Sequence, residues 1–166
     1  MRGAEGQFDC RWIQPAPTIV TWKDRHWLYY SGQARTHANE WSPDLNGHKG
    51  GIGLTTIRRD GFISLRAKSR DAFVTTKPIR FQGNRLVLNA STTSTGRVRI
   101  EIQDPAGSAL PGFALADSLG FTGDEIDGIV KWKNGSDVSD LAGQPVRLKI
   151  ALREAGLYAF RFVDAR

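Results

Sequence analysis

The sequence predicts an all-β protein, an antiparallel β-sandwich, on three observations. The run Arg97 to Gln103 alternates with period two, setting Val98, Ile100 and Ile102 against Arg97, Arg99 and Glu101. The run Val146 to Arg153 repeats the pattern, with Val146, Leu148, Ile150 and Leu152 opposite Arg147, Lys149 and Arg153. Successive strand side chains point to opposite sides, so each run has one apolar face to bury and one charged face to leave in water. Turn formers punctuate the rest: 18 Gly and seven Pro interrupt helices, while five Trp, eight Phe and three Tyr favour strands.

Taken in order, residues 1–9 form a polar lead-in, and Trp12-Ile13 begins a strand that Pro15 and Pro17 stop. Ile19 to Trp22 and His26 to Tyr30 read as a hairpin about Lys23-Asp24-Arg25. From Ser31-Gly32 a polar passage without period runs through Arg35, His37, Asn39, Trp41, Asp44 and His48, and is expected to be loop. Ile52 to Ile57 and Phe62 to Arg66 are expected to pair about Asp60-Gly61, a dipeptide suited to tight hairpins. Ala72 to Thr76 is a further strand, ended by Pro78. Arg85 to Ala90 leads through Ser91 to Gly96, read as a loop, into the Val98 strand, which Asp104-Pro105-Ala106-Gly107 closes. Asp127 to Lys133 is a strand with Trp132 near its end, Val138 to Pro145 holds one helical turn, and Leu157 to Val163 finishes the sheet with Tyr158, Phe160 and Phe162 on one face.

A chain of 166 residues, 40% apolar and 24% charged, is long enough for a well-buried core and is ordinary for a soluble globular protein. The net charge of +6 is spread over outward Arg and Lys of alternating strands rather than gathered in a basic cluster, so nucleic acid is not an expected partner. No apolar run reaches membrane-spanning length, and the first residues lack the apolar segment of a secretory signal, so the expectation is a soluble chain without membrane association. Cys10 stands alone, which rules out an internal disulfide and a thiolate metal site within one chain.

Candidate chemistry is sparse, and no catalytic residue is assigned. Asp117, Asp124, Glu125 and Asp127 are the densest acidic group; Asp117, Asp124 and Asp127 are the candidate ligands of a calcium ion, which takes about six to eight oxygens, although they lack EF-hand spacing. No other cofactor is expected. His26, His37 and His48 lack the spacing of a zinc site, and Gly50-Gly51-Ile52-Gly53 lacks the Lys-Ser/Thr ending and following helix of a phosphate loop. A sugar ring stacks its C–H face on an aromatic side chain while polar neighbours bind its hydroxyls. Trp41, with His37, Asn39, Glu40 and Asp44 around it in a polar loop, is the candidate carbohydrate site on that ground.

Trp27-Leu28-Tyr29-Tyr30-Ser31-Gly32 and Ile52 to Phe62 resemble the closing part of a glycosidase-type five-bladed β-propeller. Arg80 to Asn89, Val98 to Ile102, Ile129 to Trp132, Leu141 to Leu148 and Leu157 to Phe162 resemble the strands of the β-sandwich that follows it in the group related to glycoside hydrolase families 32, 43 and 68. The resemblance implies a jelly-roll-like sandwich over 70–166, preceded over 1–69 by β-hairpins that make an incomplete propeller. Catalytic carboxylates of that group surround the mouth of a complete propeller, and Asp24, Glu40 and Asp44 match none of those positions. The implied role is a noncatalytic accessory module that stabilises a glycosidase-type catalytic domain or binds saccharide weakly. The alternatives are a small glycan-active hydrolase assembled as a homo-oligomer, and a structural or protein-interaction module using its edge strands and Trp27/Tyr29.

Overall fold

The computed structural model describes residues 2–38, 40–41 and 50–165. The chain divides into two compact units, Met1–Arg59 and Asp60–Arg166. Among the described residues the regular structure is antiparallel strand, apart from one 3-10 turn at Ser139–Leu141.

The first unit is a four-stranded sheet of β1 (Trp12–Pro15), β2 (Val20–Trp22), β3 (Arg25–Gln33) and β4 (Gly50–Arg58). Lys23 and Asp24 make the two-residue connection between Trp22 and its partner Arg25, and Lys23 takes a positive φ of 54°, as tight hairpins require. β3 is central: β1 and β2 share one of its edges, and β4 runs along the whole of the other. On one face, Phe8 lies against Gly32 and Gly51, and the ring of Tyr30 lies over Gly53, where a Cβ would overlap it. Gly51 and Gly53 therefore admit aromatic rings close against the sheet. Tyr30 Oη donates to Asp9 Oδ2 at 2.7 Å, and that bond to a carboxylate pushes the phenol pKa up.

The second unit is one five-stranded sheet, bent on itself. Its frame is β7 (Arg85–Gln103) paired with β9 (Arg147–Val163); β5 (Leu65–Ala67) and β6 (Ala72–Thr75) lie along the other edge of β9, and β8 (Asp124–Ile129) pairs with β7. Six cross-strand apolar pairs turn inward: Leu86–Phe162, Leu88–Phe160, Ala90–Leu157, Val98–Leu152, Ile100–Ile150 and Ile102–Leu148. Two halves of the same long strands thus face one core, which Val130, Trp132, Val138 and Val146 complete. The result is an all-β curled half-barrel with the layered core of a sandwich.

The bend replaces an expected loop. Ser91 to Gly96 stays in strand β7, but the β7–β9 register shifts between Thr92 and Arg97. The Thr93 and Thr95 hydroxyls donate to Glu154, which holds a positive φ of 45°, and Gly96 lies so close to the Glu154 carbonyl that a Cβ there would overlap it. β-branched threonines suit a strand, and the missing side chain at Gly96 lets the corner close.

Three further expectations change. Asp60 adopts the left-handed conformation expected of an Asp-Gly turn (φ 56°), but the segment beyond it does not return on β4: Leu65–Ala67 pairs with Ala155–Leu157 of β9. Residues 60–69, grouped by sequence with the N-terminal hairpins, accordingly lie in the second unit. The strand expected at Asp127 to Lys133 begins three residues earlier and ends at Ile129. The aromatic stripe is broken because a register shift opposes Asn89 to Ala159 and Ala90 to Leu157; Phe160 and Phe162 pack on the core, while Leu157 takes the inward place next in line and the Tyr158 hydroxyl sits 3.4 Å from Ser91 Oγ.

Candidate functional site

The uncovered face of the first sheet is its most prominent chemical feature. Register places Val20, Trp22, Arg25, Trp27, Tyr29, Ile52, Leu54 and Arg58 on one side. Exposure is 50% for Val20, 57% for Trp22, 45% for Tyr29, 82% for Ile52 and 44% for Leu54, which together leave on the order of 500 Å² of apolar surface in water. Trp22 and Trp27 meet edge to face at 6.1 Å, and Lys23 Nζ lies 4.4 Å from the Trp22 ring centre. The Trp27 indole N–H is buried and has no hydrogen-bond partner among the described residues, an arrangement that costs about 1–3 kcal/mol unless something supplies an acceptor.

Trp22 packs edge to face on Trp27, but more than half of it remains exposed. Val20, Ile52 and Leu54 carried no functional expectation. The signal was available in β4, where Ile52, Leu54 and Thr56 share one face beside Tyr29 and Trp27, but alternation alone does not say whether the apolar side of a strand is covered.

The candidate carbohydrate residues separate. Trp41 is 43% exposed, forms a β-bridge with Arg35 and carries the Arg35 guanidinium 5.5 Å from its ring centre. Arg35 is held from its other side by Gln33 Oε1 at 2.7 Å. Glu40 is exposed and its backbone closes the turn with Thr36, donating its N–H to Thr36 Oγ1 at 3.2 Å and accepting the Thr36 N–H at 2.8 Å. His37 stands edge to face with Trp12 at 5.2 Å. Asn39 and Asp44 lie outside the described residues, as does His48. The structure therefore joins Trp41 to Arg35, which sequence reasoning had left out, and gives His37 a different aromatic partner.

The calcium ligands are not brought together. Asp117 lies 3.4 Å from Lys133 Nζ, Asp127 pairs with Arg161 at 2.6 Å, and Asp124 opens β8 opposite Ser91. Among the described residues no group of three His, Cys, Asp or Glu side chains is placed to hold a metal ion. Proximity in sequence failed here because Asp117 belongs to the turn that precedes β8, where its carbonyl accepts the Lys133 N–H, while Asp124 opens β8 and Asp127 lies three residues along it.

Glu101 and Glu154, which are among the carboxylates held below their ordinary pKa, serve the fold. Burial pushes Glu101 up, but the Gln103 amide at 2.7 Å, the Leu115 N–H at 3.0 Å and Lys149 at 3.8 Å outweigh it and hold the carboxyl below its ordinary value. The Thr95 and Thr93 hydroxyls do the same for Glu154 at the sheet corner. Among the described residues no helix is long and apolar enough to cross a membrane. Comparison with protein-family models, characterised proteins and solved structures found no match for this chain.

Proposed function

We propose that the chain is a noncatalytic accessory module of glycoside processing, which stabilises a glycosidase-type catalytic domain by docking the open face of its first sheet. The carrying observation is the uncovered row Val20, Trp22, Tyr29, Ile52 and Leu54, set beside a self-sufficient core in the second unit. An apolar patch of this extent is costly in water and is the kind of surface that marks a protein contact. Tyr and Trp suit such a contact because each buries a large area while ordering few torsions. The glycoside connection comes from the resemblance of Trp27 to Gly32 and Ile52 to Phe62 to closing propeller strands.

The test mixes the purified chain with a five-bladed glycosidase domain expressed without its sandwich. The catalytic domain is expected to melt at higher temperature with the chain present, and Trp22→Ser/Tyr29→Ser/Ile52→Ser is expected to remove the effect. Aryl-glycoside substrates are expected to remain intact with the chain alone. An unchanged melting temperature across several such domains, or hydrolysis by the chain itself, contradicts the proposal.

Weak saccharide binding at Trp41 is a second reading, favoured by its 43% exposure and by the Arg35 donor beside its ring. Trp41→Ala is expected to abolish any glycan-array signal that depends on this surface; a signal unchanged by the substitution removes Trp41 from consideration.

A further inference from the structure

Positive charge that alternation spreads along the sequence is gathered by the second unit on one side of its sheet. Register sets Arg97 opposite Arg153, Arg99 opposite Ala151, Glu101 opposite Lys149 and Gln103 opposite Arg147, all turned away from the core pairs Val98–Leu152, Ile100–Ile150 and Ile102–Leu148. Five cations and one carboxylate therefore share this half of the β7–β9 face. Two of the five are committed. Arg147 Nε donates to the Thr76 carbonyl at 3.0 Å, and Lys149 Nζ lies 3.8 Å from Glu101 and 5.7 Å from the centre of the Phe73 ring. Arg97, Arg99 and Arg153 make no hydrogen bond or ion pair among the described residues.

The carboxylates nearest in sequence and register are engaged elsewhere or stand alone. Glu101 takes the Gln103 amide, the Leu115 N–H and Lys149, while Glu154 takes the Thr95 and Thr93 hydroxyls and feels Arg153 through charge alone. Asp71, one residue before the Ala72 that opposes Leu152, is exposed and lies in no ion pair among the described residues. Side chains directly opposed in an antiparallel pair hold their Cβ atoms about 4.5–5.5 Å apart and diagonal ones about 7–8 Å, so the long stems of Arg97, Arg153 and Arg99 can bring three guanidiniums to one point. Like charges placed this way weaken a sheet, and a bound anion reverses the sign of that interaction. Arg99 is also steadied, its stem lying beside Gly120.

The donor set selects the ligand. A guanidinium donates through a planar fork of N–H groups, which matches pairs of oxygens on carboxylate and phosphate. Three forks offer more donors than the two free oxygens of a carboxylate or a phosphodiester can accept, whereas a phosphate monoester or a sulfate ester presents three terminal oxygens. A phosphate monoester also carries a charge of about −1.5 to −2 at neutral pH, enough to offset most of the local excess. We infer that Arg97, Arg99 and Arg153 form a binding site for a tetrahedral oxyanion with at least three terminal oxygens, taken up either as the free anion or as the end of a phosphate or sulfate ester. The site uses no residue of the first unit, so it stands or falls separately from the docking face and from Trp41.

The test follows amide chemical shifts and melting temperature of the isotopically labelled full-length chain at constant ionic strength, with inorganic phosphate, methyl phosphate, methyl sulfate, dimethyl phosphate and acetate as probes. At least one of the first three is expected to shift the amides of Arg97–Arg99 and Ala151–Arg153 saturably, with a dissociation constant on the order of 1–10 mM, and dimethyl phosphate and acetate to bind roughly tenfold more weakly. The tighter of inorganic and methyl phosphate identifies the free anion or the ester as the source. Arg99→Gln and Arg153→Gln are each expected to weaken the binding roughly tenfold, and Arg147→Gln, on the same face but held by Thr76, by no more than about twofold. Without the anion, Arg153→Gln is expected to melt no lower than the parent, because an opposed like charge is gone; with it, the parent alone gains stability. The inference is overturned if none of the tetrahedral probes perturbs these amides, if acetate or dimethyl phosphate binds as tightly as they do, or if Arg147→Gln weakens binding as much as Arg99→Gln, the mark of diffuse attraction.

Discussion

Trp132 shows how a single residue joins the parts of the second unit. It is 1% exposed, donates its indole N–H to the Ile100 carbonyl at 2.8 Å and meets Phe113 edge to face at 5.1 Å. A buried indole needs that acceptor, and the Ile100 carbonyl needs that donor. Trp132→Phe removes the bond and leaves a void, so a loss of about 2–3 kcal/mol is expected in chemical denaturation. Glu101 acts through charge. Its carboxyl sits below the ordinary glutamate pKa in the folded state, so its contribution is complete above that ordinary value and is lost as pH falls through the lowered one. Glu101→Gln is therefore expected to cost about 1–2 kcal/mol at neutral pH and to flatten the fall in melting temperature as pH drops below the ordinary glutamate pKa. An equal acid sensitivity in parent and variant would show that Glu101 does not set it. Sequence alternation placed Glu101 outward in water; it is 9% exposed because the Leu115 backbone covers that face. Such covering by a distant loop is invisible to a local pattern.

At the scale of elements, period-two runs were read well because burial imposes them directly. Val98, Ile100 and Ile102, and Val146, Leu148, Ile150 and Leu152, are all at most 3% exposed. The turn at Asp104 to Gly107 was equally legible, since Gly107 N–H donates to the Asp104 carbonyl at 3.0 Å and Ser108 N–H to its side chain at 2.9 Å. The corner at Thr92 to Arg97 was not, because its stability lies in a contact with Glu154, 59 or more residues away. Gly96→Val would drive a side chain into the Glu154 backbone; a loss of more than about 2 kcal/mol is expected, with hydrogen exchange rising first along Thr93–Arg97 and Arg153–Ala155. Tolerance of valine there would mean that the corner does not depend on close approach. Pairing choice was also beyond local reading. The Asp60-Gly61 turn is genuine, yet Leu65 lies opposite Leu157 rather than a β4 residue. The candidate site suffered similarly, as the contact of Trp41 with Arg35, six residues earlier across a bridge, is not marked by any local pattern.

For the molecule as a whole, the apolar core from Ala67 to Phe162 lies entirely in the second unit. The first unit buries Cys10 and Ala34 but leaves large apolar side chains of its sheet open. Residues 60–166 expressed alone are accordingly expected to melt in one cooperative transition, whereas residues 1–59 alone are expected to give no such transition. The reverse outcome would mean that the core is not self-sufficient. A sheet stabilised on one face gains most from a partner that covers the other, which is the physical basis of the accessory role we propose. The decisive measurement is hydrogen exchange of the full chain, with and without a five-bladed glycosidase domain lacking its sandwich. The account predicts slowing of roughly tenfold or more confined to Val20–Tyr29 and Gly50–Arg58. Exchange unchanged in those strands, or slowed only along Arg85–Gln103 and Arg147–Val163, would contradict it.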